Sequence, residues 1–143
     1  MKNLLLGLCL ASLTLPALAD APAAAAPARV AAEALEQRLG DAQLVVLDVR
    51  SPEEFAAGHV PGAINVPHDQ VGSRLAELAG AKDKDVVLYC RSGRRAQLAA
   101  DVLAEAGFER LSLLEGDFPG WAAQGLPTEV QAPAATSNAA AAP

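Results

Sequence analysis

The chain has 143 residues and is acidic, with 17 Asp and Glu residues against 11 Lys and Arg residues and a formal net charge of −6. This balance argues against a nucleic acid or an anionic membrane as its main partner. Its two cysteines, Cys9 and Cys90, are too few for the disulfide framework of a small secreted scaffold.

The N-terminus has the pattern of a secretory signal peptide. Lys2 precedes an apolar stretch over residues 4–15, and Ala17-Leu18-Ala19 forms a small-x-small cleavage site before Asp20. The stretch is too short for an ordinary transmembrane helix. We therefore predict a signal peptide over residues 1–19, cleavage after Ala19, a periplasmic location and no membrane attachment after cleavage.

Two other interpretations of this segment are weaker. A buried N-terminal helix would be expected to show a polar face, and none interrupts the apolar run. A lipoprotein signal at Cys9 would need a small residue before it, where this chain has Leu8. Removal of the first 19 of the 143 residues would leave 124 residues and Cys90 as the one cysteine. A free thiol in an oxidising compartment is a liability unless it is buried or used.

Two segments rich in alanine and proline flank the central part of the chain. Residues 20–28 and 131–143 are nearly uncharged and lack periodicity, so we expect a linker and a disordered tail. Residues 29–130 between them are numerous enough for one domain with its own core.

Within this domain, helical and strand patterns alternate. The patterns predict, in chain order, a helix at 30–40, a buried strand at 44–49, a helix that begins at the cap Ser51, a short strand at 63–66, a helix at 71–80, a buried strand at 85–90, a helix at 94–107, a strand at 110–116 and a short helix at 118–127. This alternation predicts an α/β domain whose parallel sheet is covered on both faces. Ligands bind such sheets beyond the carboxyl ends of the strands, which is where Cys90 stands.

The segment "CRSGRR" at residues 90–95 concentrates positive charge beside a thiol. A helix N-terminus and nearby cations favour the thiolate form of a cysteine, and the backbone N–H groups of a strand-to-helix loop can curl around its sulfur. Gly93 adds conformational freedom, and Arg91, Arg94 and Arg95 suit an oxyanion. The pattern predicts a nucleophile that binds the anion it attacks.

A purely structural interpretation of this segment is also available. A lone cysteine is more often a small core residue than a nucleophile, and the arginines could form a solvated face. However, cations at a helix N-terminus oppose the helix dipole, and an anionic ligand would relieve that cost. The residues therefore favour a functional site.

Three segments together resemble the single-domain rhodanese sulfurtransferases, and the signal peptide makes the small periplasmic members the most similar type. The segments are "LDVRSPEEFAAGHVPGAINVP" (47–67), "VVLYCRSGRRA" (86–96) and "LLEGDFPGWAAQGLP" (113–127). The resemblance implies a rhodanese-like three-layer α/β/α fold with a five-stranded, mainly parallel sheet.

The same resemblance implies a ping-pong reaction at Cys90. Thiosulfate, or another anionic sulfur donor, would give its outer sulfur to Cys90 and sulfite would leave. The Cys90 persulfide would then pass the sulfur to cyanide or to a thiol, with no cofactor beyond this covalent intermediate. The substrate-binding cradle would be formed by Arg91, Ser92, Gly93, Arg94 and Arg95.

Three other functions remain to be weighed. A non-catalytic rhodanese-like module could use the loop to bind a partner, but the cysteine and the full loop favour an enzyme. Rhodanese-like phosphatases and arsenate reductases place five residues between Cys and Arg, whereas four separate Cys90 from Arg95 and Ala96 follows. A thiol–disulfide oxidoreductase would need the second cysteine of C-x-x-C, which is missing.

Asp48 and Arg50 end the first buried strand, so we expect them at the same edge of the sheet as Cys90. They are predicted to support the site. Asp48 could pair with one of the loop arginines and hold it in place. The alternative is a helix cap or an ion pair involving Glu53 or Glu54, and the sequence does not decide between the two.

The remaining candidates have mainly structural interpretations. His59 in "GHVPGA" is better explained as part of a turn than as a general base, and His68 is a lone, exposed histidine, so no metal site is predicted. Phe118 and Trp121 are expected to pack on the core. Asp117 departs from the glycine or small residue common in the "EGG" form of the family's segment, and this change could alter the edge of the site.

Overall fold

The structure, a computed structural model, describes residues 26–131. The predicted signal peptide, most of the predicted linker and residues 132–143 of the predicted tail lie outside these described residues. The helices and strands are β1 (Ala28–Val30), α1 (Ala32–Glu36), β2 (Leu44–Asp48), α2 (Pro52–Ala57), β3 (Ile64–Asn65), α3 (Leu75–Leu78), β4 (Asp85–Tyr89), α4 (Arg94–Glu105), β5 (Leu111–Leu114) and α5 (Asp117–Ala123).

The five strands form one sheet in the order β1-β5-β4-β2-β3, and every neighbouring pair is parallel. The predicted five-stranded sheet is confirmed. The longest pairing joins β2 to β4 over five residues each, from Leu44 opposite Asp85 to Asp48 opposite Tyr89. Strand β4 is therefore central, and its carboxyl end leads directly to Cys90.

Buried side chains form a cluster on each face of the sheet, because successive residues of a strand point to opposite faces. Leu88 and Cys90 belong to the cluster covered by α3 and α4, whereas Val87 and Tyr89 belong to the cluster covered by α1 and α5. Helices on both faces give the predicted three-layer arrangement. None of the helices in the described part of the chain is long and apolar enough to span a membrane.

Two features of the sequence set the helix starts that border the site. Ser51 and Glu54 form a capping box in which each side chain accepts from the other residue's backbone N–H, with Pro52 as the first helical residue of α2. Gly93 precedes α4 in the left-handed conformation, with φ of 82°. The predicted Ser51 cap is thus confirmed, and Gly93 supplies a backbone angle that other residues resist.

Three elements differ from the prediction. Strand β1 was not predicted: it includes Ala28 of the predicted linker and delays the first helix to Ala32. Three residues are too few to show the alternation of apolar and polar side chains that indicates a strand. The segment is a strand because its backbone pairs with β5. The predicted helix at 71–80 is divided into α3 and two flanking 3₁₀ turns, Gly72–Arg74 and Ala79–Ala81.

Truncating a buried side chain leaves a cavity in the core, so two leucines that differ in burial are expected to differ in their contribution to the free energy of unfolding. Leu88 lies in the central strand with no exposed surface, whereas Leu98 on α4 is 49% exposed. We expect Leu88→Ala to lower the free energy of unfolding by about 2 to 5 kcal/mol, because it removes buried surface and leaves a cavity. Denaturant titration of Leu88→Ala beside Leu98→Ala tests this, and equal losses in the two variants would contradict the assignment of the core.

Candidate active site

Cys90 lies at the carboxyl edge of the sheet, where β4 passes into a loop that leads to α4. The residue has no exposed surface. The N–H of Gly93 donates a hydrogen bond to its Sγ at 3.1 Å, so the loop does curl around the sulfur. The first N–H groups of α4 follow immediately, and these have no acceptor within their own helix. The sulfur therefore accepts a backbone hydrogen bond at the N-terminal end of α4.

The segment between β5 and α5 holds Cys90 from the other side. The N–H of Cys90 donates to Oδ1 of Asp117 at 2.9 Å, and the N–H of Phe118 donates to the carbonyl of Cys90 at 3.0 Å. Both backbone groups of the cysteine are thus bonded to one short segment. Trp121 is fully buried on α5 and donates to the carbonyl of Pro127, so its predicted packing on the core is confirmed.

The three loop arginines have different environments. Arg95 is half-buried and forms a double hydrogen bond with Glu54, at 2.7 and 3.1 Å. These bonds raise the pKa of Arg95, and the neighbouring Cys90 sulfur adds to the effect. Arg91 and Arg94 are exposed, as is Ser92, and within residues 26–131 neither arginine forms a salt bridge. Arg95 is therefore the fixed cation beside the thiol, and the other two form its outer edge.

Glu54 was not predicted as part of the site. The sequence places it in the first turn of a helix, where an acidic residue has an ordinary structural explanation. In the structure the capping box with Ser51 holds the carboxylate, which then binds Arg95. The hydrogen bond from Arg95 lowers the pKa of Glu54 to about 2. No local pattern links two residues that lie on different helices, so the sequence carried no signal for this pair.

Asp48 and Arg50 form a buried ion pair at the same edge of the sheet. The Nη2 of Arg50 donates to Oδ2 of Asp48 at 2.6 Å and to the carbonyl of Gly58 at 2.7 Å. The guanidinium also lies 4.1 Å from the ring centroid of Phe118. Burial is the largest single influence and lowers the pKa of Arg50, but the hydrogen bonds and the charge of Asp48, together with Tyr89, outweigh it, and the pKa is raised.

The expected pairing of Asp48 with a loop arginine is wrong. Side chains two residues apart on a strand point to the same face, so Arg50 is the nearest cation to Asp48 and takes its carboxylate. Neither alternative is observed, because Ser51 and not Asp48 caps α2, and Glu54 pairs with Arg95 instead of Arg50. The pair lies beside the site, because Arg50 contacts Phe118, whose N–H donates to the carbonyl of Cys90, and its supporting role stays a prediction.

His59 has the contacts of a turn residue. Its Nδ1 lies 2.8 Å from the carbonyl oxygen of Phe55, and because that oxygen can only accept, Nδ1 carries the proton of this hydrogen bond. The imidazole also stacks on the ring of Phe55, with 3.7 Å between the ring centroids. Its backbone pairs with Glu129 in an isolated antiparallel bridge. These contacts agree with the predicted structural role. His68 is half-buried instead of exposed, and the described residues contain no group of three or more potential ligands that could hold a metal ion.

The ion pair of Glu54 and Arg95 predicts a pH-dependent contribution to stability. A carboxyl group with a lowered pKa in the folded state stabilises the fold above its unfolded pKa, and the contribution disappears as pH falls through the folded pKa. Glu54→Gln keeps a side-chain oxygen that accepts the backbone N–H of Ser51 but removes the negative charge. We expect a lower Tm than wild type at pH 7 and a difference that shrinks between pH 4.5 and about 2. A difference that persists unchanged at pH 2 in thermal melts would contradict the pairing.

Because Asp48 and Arg50 are buried together, truncating one of them is expected to lower the free energy of unfolding strongly. Asp48→Ala leaves the Arg50 guanidinium buried without its counter-charge, and we expect the free energy of unfolding to fall by about 3 to 5 kcal/mol. Replacing both residues, as in Asp48→Ala with Arg50→Met, removes the orphaned charge and is expected to recover part of this loss. Chemical denaturation of both variants measures the effect. A double variant less stable than Asp48→Ala would argue against the pair.

Comparison with known proteins gives consistent relatives. A family model described as "Rhodanese-like domain" matches residues 31–124. A protein named "Sulfurtransferase" from Allochromatium vinosum is 43% identical over 96 residues, which cover 66% of this chain and 88% of that protein. "Thiosulfate sulfurtransferase 16, chloroplastic" of Arabidopsis thaliana is 37% identical over 94 residues, covering 58% of this chain and 78% of that protein.

Other relatives are larger, and the solved structures agree on the fold. The match to an HTH-type transcriptional regulator of Mycobacterium tuberculosis, 43% identical over 94 residues, covers 64% of this chain but 40% of that protein. A rhodanese-related protein of Thermoplasma volcanium, known from its crystal structure, superposes with a TM-score of 0.65 at 26% identity. The match covers 73% of this chain and 99% of that one.

Proposed function

The chain belongs to the family of rhodanese-like domains, and from this premise we propose that it is a sulfurtransferase whose Cys90 carries the transferred sulfur as a persulfide. One observation carries the proposal: the Sγ of Cys90 accepts the N–H of Gly93 at the start of α4, beside an arginine that Glu54 fixes in place. The names of the relatives from Allochromatium vinosum and Arabidopsis thaliana support the same chemistry.

In the first half-reaction, the thiolate of Cys90 attacks the outer sulfur of thiosulfate. A sulfur–sulfur bond forms to Cys90, the bond to the inner sulfur breaks, and sulfite leaves with the electron pair. The N–H of Gly93 and the charge of Arg95 are placed to stabilise the thiolate before attack and the persulfide after it. Charge and atoms balance without any oxidant or reductant.

In the second half-reaction, cyanide or a thiolate attacks the outer sulfur of the persulfide. The bond between the two sulfur atoms breaks, Cys90 leaves as a thiolate, and thiocyanate or a new persulfide departs. The reaction needs no cofactor beyond the covalent intermediate. Because Cys90 has no exposed surface, donor and acceptor reach its sulfur only when neighbouring side chains move aside.

The alternative is a binding module without turnover. The complete burial of Cys90 favours it, since an inaccessible thiol is chemically inert. The match to part of an HTH-type transcriptional regulator shows that similar sequences also occur within larger proteins of another kind. Against this, the loop retains the cysteine, the left-handed Gly93 and the fixed Arg95. We therefore favour the enzyme, acting in the periplasm after removal of residues 1–19, a location that rests on the sequence pattern alone.

The test of the proposed function is thiocyanate formation from thiosulfate and cyanide by the mature protein. We expect turnover by the wild type and none by Cys90→Ser, because a hydroxyl forms no persulfide. Intact-mass analysis after exposure to thiosulfate alone should show one added sulfur atom in the wild type. The control is circular dichroism of both proteins, to show that the variant is folded.

Two results would contradict the proposal. One is turnover that survives in Cys90→Ser, which would place the chemistry elsewhere. The other is the absence of both turnover and added sulfur from folded wild type with a reduced thiol. The second result would favour the binding module, and release of phosphate from an aryl phosphate would then indicate a phosphatase.

A further inference from the structure

Asp117 places a carboxylate against the loop that holds the reactive sulfur. The residue is 7% exposed, and Oδ1 accepts the N–H of Cys90 at 2.9 Å. Its Oδ2 lies 3.3 Å from the position that a Cβ on Gly93 would occupy. The same Gly93 donates its N–H to the sulfur of Cys90. The carboxylate is thus bonded to the backbone of Cys90 and lies close to the residue whose N–H the sulfur accepts.

This carboxylate has no cationic partner among residues 26–131. The guanidinium of Arg95 is already paired with Glu54, and that of Arg50 is already paired with Asp48. A buried charge is costly unless it is paired, and a residue other than glycine at φ of 52° carries a further conformational cost. Glycine would suit the backbone at this position without either cost. The hydrogen bond from the N–H of Cys90 explains an acceptor at this position, but a neutral amide oxygen would serve as well, so the charge itself is not required by the fold.

A buried negative charge beside the sulfur affects sulfur donors according to their own charge. Coulomb repulsion scales with the product of the charges, so a dianion is opposed twice as strongly as a monoanion in the same position. Burial also reduces screening by salt, whereas the exposed Arg91 and Arg94 are screened. The arginines attract anions of any kind, and the carboxylate distinguishes among those that reach the sulfur.

We propose that Asp117 is a specificity-determining residue that makes the Cys90 loop discriminate against doubly charged sulfur donors in favour of singly charged ones. The proposal rests on the sulfurtransferase function proposed above. Its preferred donors are organic thiosulfonates and related monoanions, which carry the same transferable outer sulfur as thiosulfate but have one charged oxygen replaced by a carbon group.

The chemistry of the two donor classes is otherwise matched. The Cys90 thiolate attacks the outer sulfur of a thiosulfonate, a sulfur–sulfur bond forms, and the bond to the oxidised sulfur breaks. The leaving group is an organic sulfinate, which takes the electron pair as sulfite does. No proton, oxidant or reductant enters either reaction. The two donors differ in charge as they approach Cys90, and the carboxylate of Asp117 repels the doubly charged one more strongly.

The test compares thiosulfate with methanethiosulfonate as donors, with cyanide as the common acceptor, in the wild type and in Asp117→Asn. Asparagine keeps the oxygen that accepts the N–H of Cys90 and tolerates positive φ, but it removes the charge. We expect kcat/KM to rise about tenfold for thiosulfate and about threefold for methanethiosulfonate, as repulsion of a dianion is twice that of a monoanion. Any change in the reactivity of Cys90 itself acts on both donors and cancels in their ratio.

Two further variants sharpen the comparison. Asp101→Asn removes one exposed carboxylate from α4, away from the loop, and is expected to leave the donor ratio unchanged. Asp117→Gly suits the backbone at positive φ and should shift the ratio as Asp117→Asn does, which keeps the test available if the asparagine variant is unstable. A ratio that shifts equally in Asp101→Asn and Asp117→Asn would assign the effect to net charge and overturn the proposal.

Failure of the inference and failure of the function give different results. If wild type and Asp117→Asn both turn over with the same donor ratio, the function stands and the role of Asp117 is refuted. If no protein turns over either donor, the proposed function fails. Calorimetric titration of thiosulfate into Cys90→Ser, with and without Asp117→Asn, then still tests the charge effect. We expect tighter binding without the carboxylate, and equal binding would refute it.

Discussion

The parallel pairing of β2 with β4 determines what can meet at the candidate site. Five consecutive residue pairs keep the two strands in register up to Asp48 and Tyr89, so both chains leave the sheet side by side. Cys90 follows one strand and the helix bearing Glu54 follows the other. A slip of one residue would turn Cys90 from the face covered by α4 to the opposite face. The geometry of the thiol is thus a consequence of sheet register before any side chain of the site contributes.

Two ion pairs at this edge perform different tasks because their burial differs. Asp48 and Arg50 are almost fully buried and hold the carboxyl end of β2 against Gly58 and Phe118. Such a pair specifies an arrangement more than it adds stability, since its desolvation cost offsets much of its attraction. Glu54 and Arg95 are about 30% exposed, with side-chain values of 32% and 28%. Their double hydrogen bond fixes a guanidinium beside the sulfur at a smaller desolvation cost.

The parts of the fold that the sequence predicted are those with local signals. The apolar runs of β2 and β4, the cap at Ser51 and the placement of Cys90 between strand and helix all follow from neighbouring residues. Strand β1 exists only through its partner β5, and the Glu54–Arg95 contact joins two helices 41 positions apart. Asp48 pairs with Arg50, a partner that the sequence analysis did not name, because strand geometry brings the two side chains to the same face. Sequence patterns report local preference, whereas these contacts depend on tertiary placement.

The charged residues around Cys90 differ in how deeply they are buried. Arg91 and Arg94 lie at the surface, where their attraction for anions is long-ranged but weakened by salt. Arg95 and Asp117 lie deeper and carry opposite charges, Arg95 beside the sulfur and Asp117 bonded to the backbone N–H of Cys90. A site built only to collect anions would have no use for this charge, since a neutral amide oxygen would also accept the N–H of Cys90. Its presence, buried and bonded to the backbone of the nucleophile, is the property of a loop that selects among anions by their charge.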